Sequence, residues 1–391
     1  GNKSRRSTLI HSFAKRIEDV HGQGHLHSAT SPSTMESIND NDHAFLQEIL
    51  EVEEDTNPFD NCVMQILLSS SSDEEEEQWG GSRKGKAPNK PRDFGGVHAK
   101  VVKDYFSGRD SVYDEKDFER SFRVPRTVFN RIREAVMGHE PFVQKKDPTN
   151  KMGIHPLVKL VACLRYLAYG CAYDREDENL GIAESTLAPI VQEFLQLIIV
   201  HFGAQYLNRC PTAEEKRTIS AAMAAKGFPG CFASWDCKHF NWGNCPMRWS
   251  GQHKGHGAGG KTTLILEAIA DHRKYLWYVS FGDAGSLNDL NVLDKSSIVG
   301  AMLSGDLDMT TEPYTMNGNV RDWLYFLADG IYPDWALFVK TYSNATEEKK
   351  KFFASRQEAV RKDIECAFGI VVQRFQILKR PFRNWLVQDL R

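Results

Sequence analysis

A chain of 391 residues with 41% hydrophobic and 26% charged side chains has the makeup of a soluble protein of about two domains. No stretch reads as approaching the roughly 18 apolar residues of a membrane span, and no charged-then-apolar leader opens it, which argues against secretion and membrane insertion. Eight cysteines, at 62, 163, 171, 210, 231, 237, 245 and 366, lack framework spacing and point to a reducing compartment. The sequence opens at Gly1, and Met35 is a candidate native start.

The net charge of −3 conceals a division. Residues 1–34 carry +3 and residues 35–79 carry 14 acids and no Lys or Arg, leaving +8 on residues 80–391. An acidic tail on a basic body suggests an anionic partner, nucleic acid first, that the tail can shield.

In chain order, residues 1–92 read as a disordered acidic tail, too polar to offset ordering entropy, with one short amphipathic stretch, Phe45–Leu50. It ends in a basic run, Arg83, Lys84, Lys86, Lys90 and Arg92, that has the pattern of a nuclear-import signal. Folded structure is expected from Asp93. Helical spacing runs through Phe118–Met137, with Pro125 as a break, and Pro156 opens a helix that Gly170 closes. A short acidic helix, Tyr173–Leu180, a turn at Gly181, and a helix from near Ser185 complete a helix-turn-helix outline within residues 93–227. Between Glu184 and Val200 there is no Lys or Arg, so packing or dimerisation is expected of the last helix rather than base reading. Residues 228–391 change pattern. Cys231–Trp242, Thr262–Asp271 and Lys274–Gly282 read as three sequential strands, and Trp323–Ala328 and Trp335–Val339 as two more. A long helix over Thr346–Leu378 follows, giving an α/β domain with acids at its strand ends.

Four acids stand out. Asp236 lies inside the first strand, Asp289 follows the third, Asp329 ends an apolar run before Gly330, and Glu365 lies on the long helix. A carboxylate in an apolar strand is costly unless paired or bound to a cation. Mg²⁺ takes a few carboxylate oxygens and keeps positions for water and phosphate, and two such ions about 4 Å apart serve phosphodiester chemistry. Plainer roles exist for each. Asp236 could pair with Lys238, Asp289 could cap a helix, Asp329 could cap a turn with Gly330, and Glu365 could pair with Arg361 or Lys362.

Six segments carry a resemblance: Ser234–His239 (SWDCKH), Asn244–Pro246 (NCP), Leu264–Ala270 (LILEAIA), Gly285–Leu293 (GSLNDLNVL), Leu327–Pro333 (LADGIYP) and Arg361–Gly369 (RKDIECAFG). Together with Gly80–Phe94 they resemble the plant-type PIF/Harbinger transposases, over roughly residues 80–385. The resemblance implies an RNase H-like catalytic domain at 228–391, with a mixed five-stranded sheet: three sequential strands antiparallel, the next two parallel to the first. It implies a DDE nuclease and strand transferase dependent on Mg²⁺ or Mn²⁺, two ions in number. Asp236, Asp329 and Glu365 would be its triad and Asp289 a further metal ligand. Double-stranded DNA, a Myb-like DNA-binding partner protein, a homo-oligomer and a nuclear location are implied as well. Relatives continue past the segment around Trp385, so the domain is expected to be truncated at its C-terminal end. The alternative is a domesticated, catalytically silent protein associated with DNA or chromatin.

Gly255–Thr262 (GHGAGGKT) matches the phosphate-cradling GxxxxGK[ST] pattern, but a strand rather than a helix is expected after Thr262, so nucleotide hydrolysis is not. Arg248, Lys254 and Lys261 make that loop a candidate DNA-phosphate contact instead. Trp242 and Trp249 are candidates for base stacking or for packing. Cys237, His239, Cys245, His253 and His256 match no zinc spacing.

Overall fold

The computed structural model describes residues 90–255 and 259–383, and the acidic tail, most of the basic run and Phe45–Leu50 lie outside them. Among the described residues are eleven α-helices, a five-stranded mixed sheet and a two-stranded hairpin.

The first part is all helix. Asp93 caps α1 (Phe94–Tyr105) by accepting from the Gly96 N–H at 2.9 Å. The amphipathic stretch around Pro125 divides into α2 (Glu115–Phe122) and α3 (Arg126–Val136). Pro156 opens α4 (Pro156–Tyr169), and Gly170 ends it in the left-handed conformation. Then come α5 (Arg175–Leu180) and α6 (Glu184–Tyr206). Phe118, Phe122, Phe129, Leu160, Leu187 and Phe194 are fully buried in one shared core. Helix α6 is long and apolar enough to cross a membrane by length and composition, which corrects the expectation that no stretch approaches that measure. Its buried residues, Leu187, Ile190, Val191 and Phe194, pack within the helical core.

Two acids of α5 have internal uses. Asp177 accepts two hydrogen bonds from Arg92, both 2.9 Å, and buried Glu176 faces Arg165 at 3.5 Å. Arg92, expected in the basic run, is thus bound to the fold.

Helix α7 (Ala213–Ala225) carries a reciprocal capping box between Thr212 and Glu215 and packs on the sheet. The strands are β1 (Cys231–Asn241), β2 (Thr263–Ala270) and β3 (Leu276–Ala284), with the short α8 (Met247–His253) between the first two. Next come α9 (Asp289–Leu293), α10 (Ser297–Ser304), β4 (Thr310–Met316) and β5 (Asn319–Trp323). The chain closes with β6 (Tyr325–Leu327), β7 (Phe338–Val339) and α11 (Glu348–Arg374). Sheet order is β3-β2-β1-β6-β7, with β2 antiparallel to both neighbours and β6 and β7 parallel to β1. That is the strand arrangement the resemblance implied. The strand expected at Trp323–Ala328 is divided instead. Trp323 ends the exposed β4–β5 hairpin, the Leu324 N–H bonds the Met309 carbonyl, and only Tyr325–Leu327 joins the main sheet.

Helices α7 and α11 both pack on β1. With β2 and β6 on either side of it as well, the first half of β1 is continuously buried instead of alternating. Beyond α11, a single 3₁₀ turn at Gln376–Leu378 rests against α4, where a side chain on Gly170 would collide with the Ile377 backbone. Phe375 packs into the helical core and Arg374 donates to the Arg123 carbonyl at 3.1 Å, so α11 joins sheet and helices.

Candidate active site

Parallel pairing puts two of the four acids level. Ser234 of β1 lies opposite Leu327 of β6. Two residues further along each strand path come Asp236 and Asp329, at the same edge of the sheet. Asp289 arrives there from β3. Gly285 crosses tightly over the start of β2, its N–H donating to the Thr263 carbonyl at 3.0 Å, and Asn288 then caps α9 so that Asp289 is its first residue. The cap of this helix is therefore Asn288, not Asp289 as the sequence allowed.

Helix α11 contributes a stripe with four-residue spacing: Gln357, Arg361 and Glu365. Gln357 is fully buried, and its amide donates to the carbonyls of Ala328 and Val339, each at 3.0 Å. It thereby fixes α11 to the residue just before Asp329. One turn on, Arg361 reaches Asp236 Oδ2 through Nη1 and Glu365 Oε1 through Nη2, each at 3.3 Å. Of the plainer pairings, the one between Glu365 and Arg361 is present, and Asp236 pairs with Arg361 rather than Lys238.

The electrostatics follow from this layout. Burial above all pushes the Asp236 carboxyl up to about 6; Asp289 and Glu365 add to the rise, while the Cys237 N–H and Arg361 oppose it. Asp289 is raised as well, by burial first and then by Asp329, with His239 and the Cys237 thiol acting the other way. Burial likewise raises the Cys237 thiol, which sits 3.7 Å from the Tyr332 hydroxyl. Asp329 is exposed, and its Oδ1 accepts from the Gly330 N–H, the turn contact the sequence allowed. Glu365 is half exposed, at 48% of its side chain.

All four acids thus lie along one edge and feel one another. Among the described residues no group of three or more His, Cys, Asp or Glu side chains is gathered closely enough to hold a metal ion. The reasons are visible: Arg361 lies between Asp236 and Glu365, and Asp329 is turned back onto its own backbone. The donors themselves, hard carboxylate oxygens of which one is nearly buried, fit a divalent cation such as Mg²⁺.

The candidate DNA contacts lie on α8 and at the ends of the loop that follows it. Arg248 is exposed on α8 and lies over the Trp249 ring at 5.3 Å. Lys254 and Lys261 are exposed at the two ends of the glycine-rich loop, closed by pairing of Lys254 with Thr262. His256 in that loop lies outside the described residues. The residues after Thr262 form β2, not a helix, so the loop lacks the strand–loop–helix context of a nucleotide site. Trp242 is fully buried, packed edge-on against His253.

Arg361 and Gln357 were not singled out as site residues by sequence reasoning. The signal was available: two long polar residues one and two turns before Glu365, on the face of α11 that carries buried Val360 and Ile364 beside them.

The mixed α/β part of the chain thus carries its four carboxylates within β1, just after β6, at the start of α9 and on α11. Residues 204–391 match the family model described as plant transposon protein, and residues 98–137 match a domain of unknown function, DUF8418. The part of the chain holding the sheet and all four acids is therefore the part similar to plant transposon proteins. No curated protein and no solved structure gives a significant match.

Proposed function

We propose that this chain is a DDE transposase of the PIF/Harbinger type, with an RNase H-like catalytic domain that cleaves double-stranded DNA at element ends and transfers the freed 3′-hydroxyl to target DNA. The observation that carries the reading is the parallel β1/β6 register, which sets Asp236 and Asp329 side by side beneath a helix carrying Glu365, within the transposon-related segment. Asp236, Asp329 and Glu365 form the catalytic triad and Asp289 is an added ligand; together they would hold Mg²⁺ or Mn²⁺, as two ions. Ions bound there supply Lewis acidity at the attacking and leaving oxygens of the phosphodiester. The carboxylates orient the scissile group, while β1 and the clamp at Gln357 hold them in register. Arg248, Lys254 and Lys261 bind the DNA backbone. The reading extends to a nuclear location, assembly as a homo-oligomer, and end recognition shared with a Myb-like partner. The lack of Lys and Arg between Glu184 and Val200 supports that division of labour.

The Arg361 pairings favour a second reading, a domesticated protein that keeps DNA association without cleavage. Cleavage of an oligonucleotide duplex bearing an element end, with the Myb-like partner supplied, separates the two. Asp329→Asn and Glu365→Gln should each abolish Mg²⁺-dependent cleavage and leave duplex binding within about twofold, a shift of about 0.4 kcal/mol. Full cleavage by either variant removes that residue from the mechanism. An inactive unsubstituted chain supports the domesticated reading.

A further inference from the structure

Arg361 is an uncomfortable residue where it stands. Its side chain is only 15% exposed, so most of its charge has been taken out of water. Its two carboxylate contacts are both 3.3 Å, long beside the roughly 2.7–2.9 Å of a strong charge-assisted hydrogen bond. They go to two different acids, so no flat two-pronged pair forms with either. Its third donor, the Nε–H, is buried without a hydrogen-bond partner among the described residues. A buried guanidinium that is only loosely bonded does not recover its desolvation cost. Nor can it escape by losing its proton, as a lysine would; an arginine can only move.

The acids beside it have the opposite deficit. Asp236 and Glu365 repel one another across the gap that the guanidinium fills. The gap thus holds one positive charge, delivered by the same helix that carries Glu365 and fixed there by the clamp at Gln357.

We propose that Arg361 is a tethered counter-cation: it neutralises Asp236 and Glu365 while no ion is bound, and a divalent cation must displace it to reach them. Arg361 thereby sets the metal affinity of the site and keeps the acidic edge assembled in its absence. This rests on the reading of Asp236 and Glu365 as metal ligands, and deepens it.

The test uses the full chain and Mn²⁺ alone, with bound ion measured by electron paramagnetic resonance and folding checked by thermal unfolding of the same samples. Arg361→Gln removes the competing charge and should tighten Mn²⁺ binding by about tenfold or more, as expected for a unit charge a few ångströms from the ion. Arg361→Lys keeps the charge and should stay within about threefold of the unsubstituted chain. An Arg361→Gln chain that unfolds cooperatively yet binds Mn²⁺ no more tightly overturns the proposal. Asp236→Asn tests the underlying reading separately: unchanged Mn²⁺ affinity there sinks the carboxylate site itself. A last measurement avoids dependence on how the Gln variant folds. In the unsubstituted chain, the Arg361 Nε–H resonance, assigned by its loss in Arg361→Lys, should shift on adding Mg²⁺. A resonance that stays fixed at saturating Mg²⁺ also overturns the proposal.

Discussion

Glu267 offers the sharpest energetic test of how the sheet beside the acidic edge is built. It lies on β2 opposite Cys237, the neighbour of Asp236, and only 2% of it is exposed. One carboxyl oxygen accepts from the Trp235 indole at 3.0 Å and the other from the Ser296 hydroxyl at 2.8 Å. Burial pushes its pKa from 4.5 up to about 7, and these two donors hold back only part of the rise. The folded chain therefore keeps the Glu267 proton to near neutrality, whereas the unfolded chain releases it near the ordinary value. The resulting stability is complete below about pH 4.5 and is lost as the pH climbs through 7. At about 1.4 kcal/mol for each tenfold change in proton affinity, the whole loss is about 3 kcal/mol. Glu267→Gln cannot ionise, keeps an oxygen for Trp235, and turns an amide toward Ser296. Urea unfolding should show the variant gaining about 2–3 kcal/mol on the unsubstituted chain between pH 5 and pH 8.5. Asp236, raised to about 6, titrates in both chains and cancels from the difference. A difference between the two chains that stays constant to within about 0.5 kcal/mol over that range refutes the reasoning.

Two further substitutions probe how the acids are positioned. Gln357→Met keeps the volume but removes one donor from each of the carbonyls of Ala328 and Val339, of which the second keeps the Ala328 N–H, and should cost about 1–3 kcal/mol in urea unfolding; a loss under about 0.5 kcal/mol would show that the clamp contributes nothing. Gly285→Ala would drive a methyl into Thr263 Oγ1 and to 2.6 and 2.7 Å from the Thr263 and His253 carbonyl oxygens, so the Asp289 loop must shift. Its expected cost is about 1–3 kcal/mol in thermal unfolding, and an unchanged transition would mean that the crossing is looser than drawn.

The elements that bury a periodic face were legible from the sequence, and the site acids could be placed on them. The break at Pro125, the stop at Gly170 and the β1–β2–β3 run are examples. What escaped did so for physical reasons. Helix α1 begins Phe-Gly-Gly, a poor helical start that its Asp93 cap and packing outweigh. Helix α7 had a readable signal in the Thr212–Glu215 capping box, hidden by an apolar pattern too weak to mark a helix. The β4–β5 hairpin is mostly exposed, so no strict alternation marks it, and Trp323 was merged with β6 as one apolar run. At the site, the acids announce themselves because carboxylates in apolar runs are unusual. Arg361 does not, since an arginine four residues before a glutamate looks like any solvated helical pair. Only the third dimension shows that it also reaches Asp236.

Helix α11 behaves as a beam on two supports. Near one end Gln357 pins it to the ends of β6 and β7; at the other, Phe375 and the turn at Gln376–Leu378 rest on the helical core. Glu365 lies between them, about 15 Å from the far support at 1.5 Å per residue. Between the supports, Ile364, Ala367 and Phe368 are bedded against Ala268 and Ala270 of β2, so the span is carried along its length. Mechanically, the helix is a tie rod that fastens the helical core to the sheet and carries Glu365 on the way.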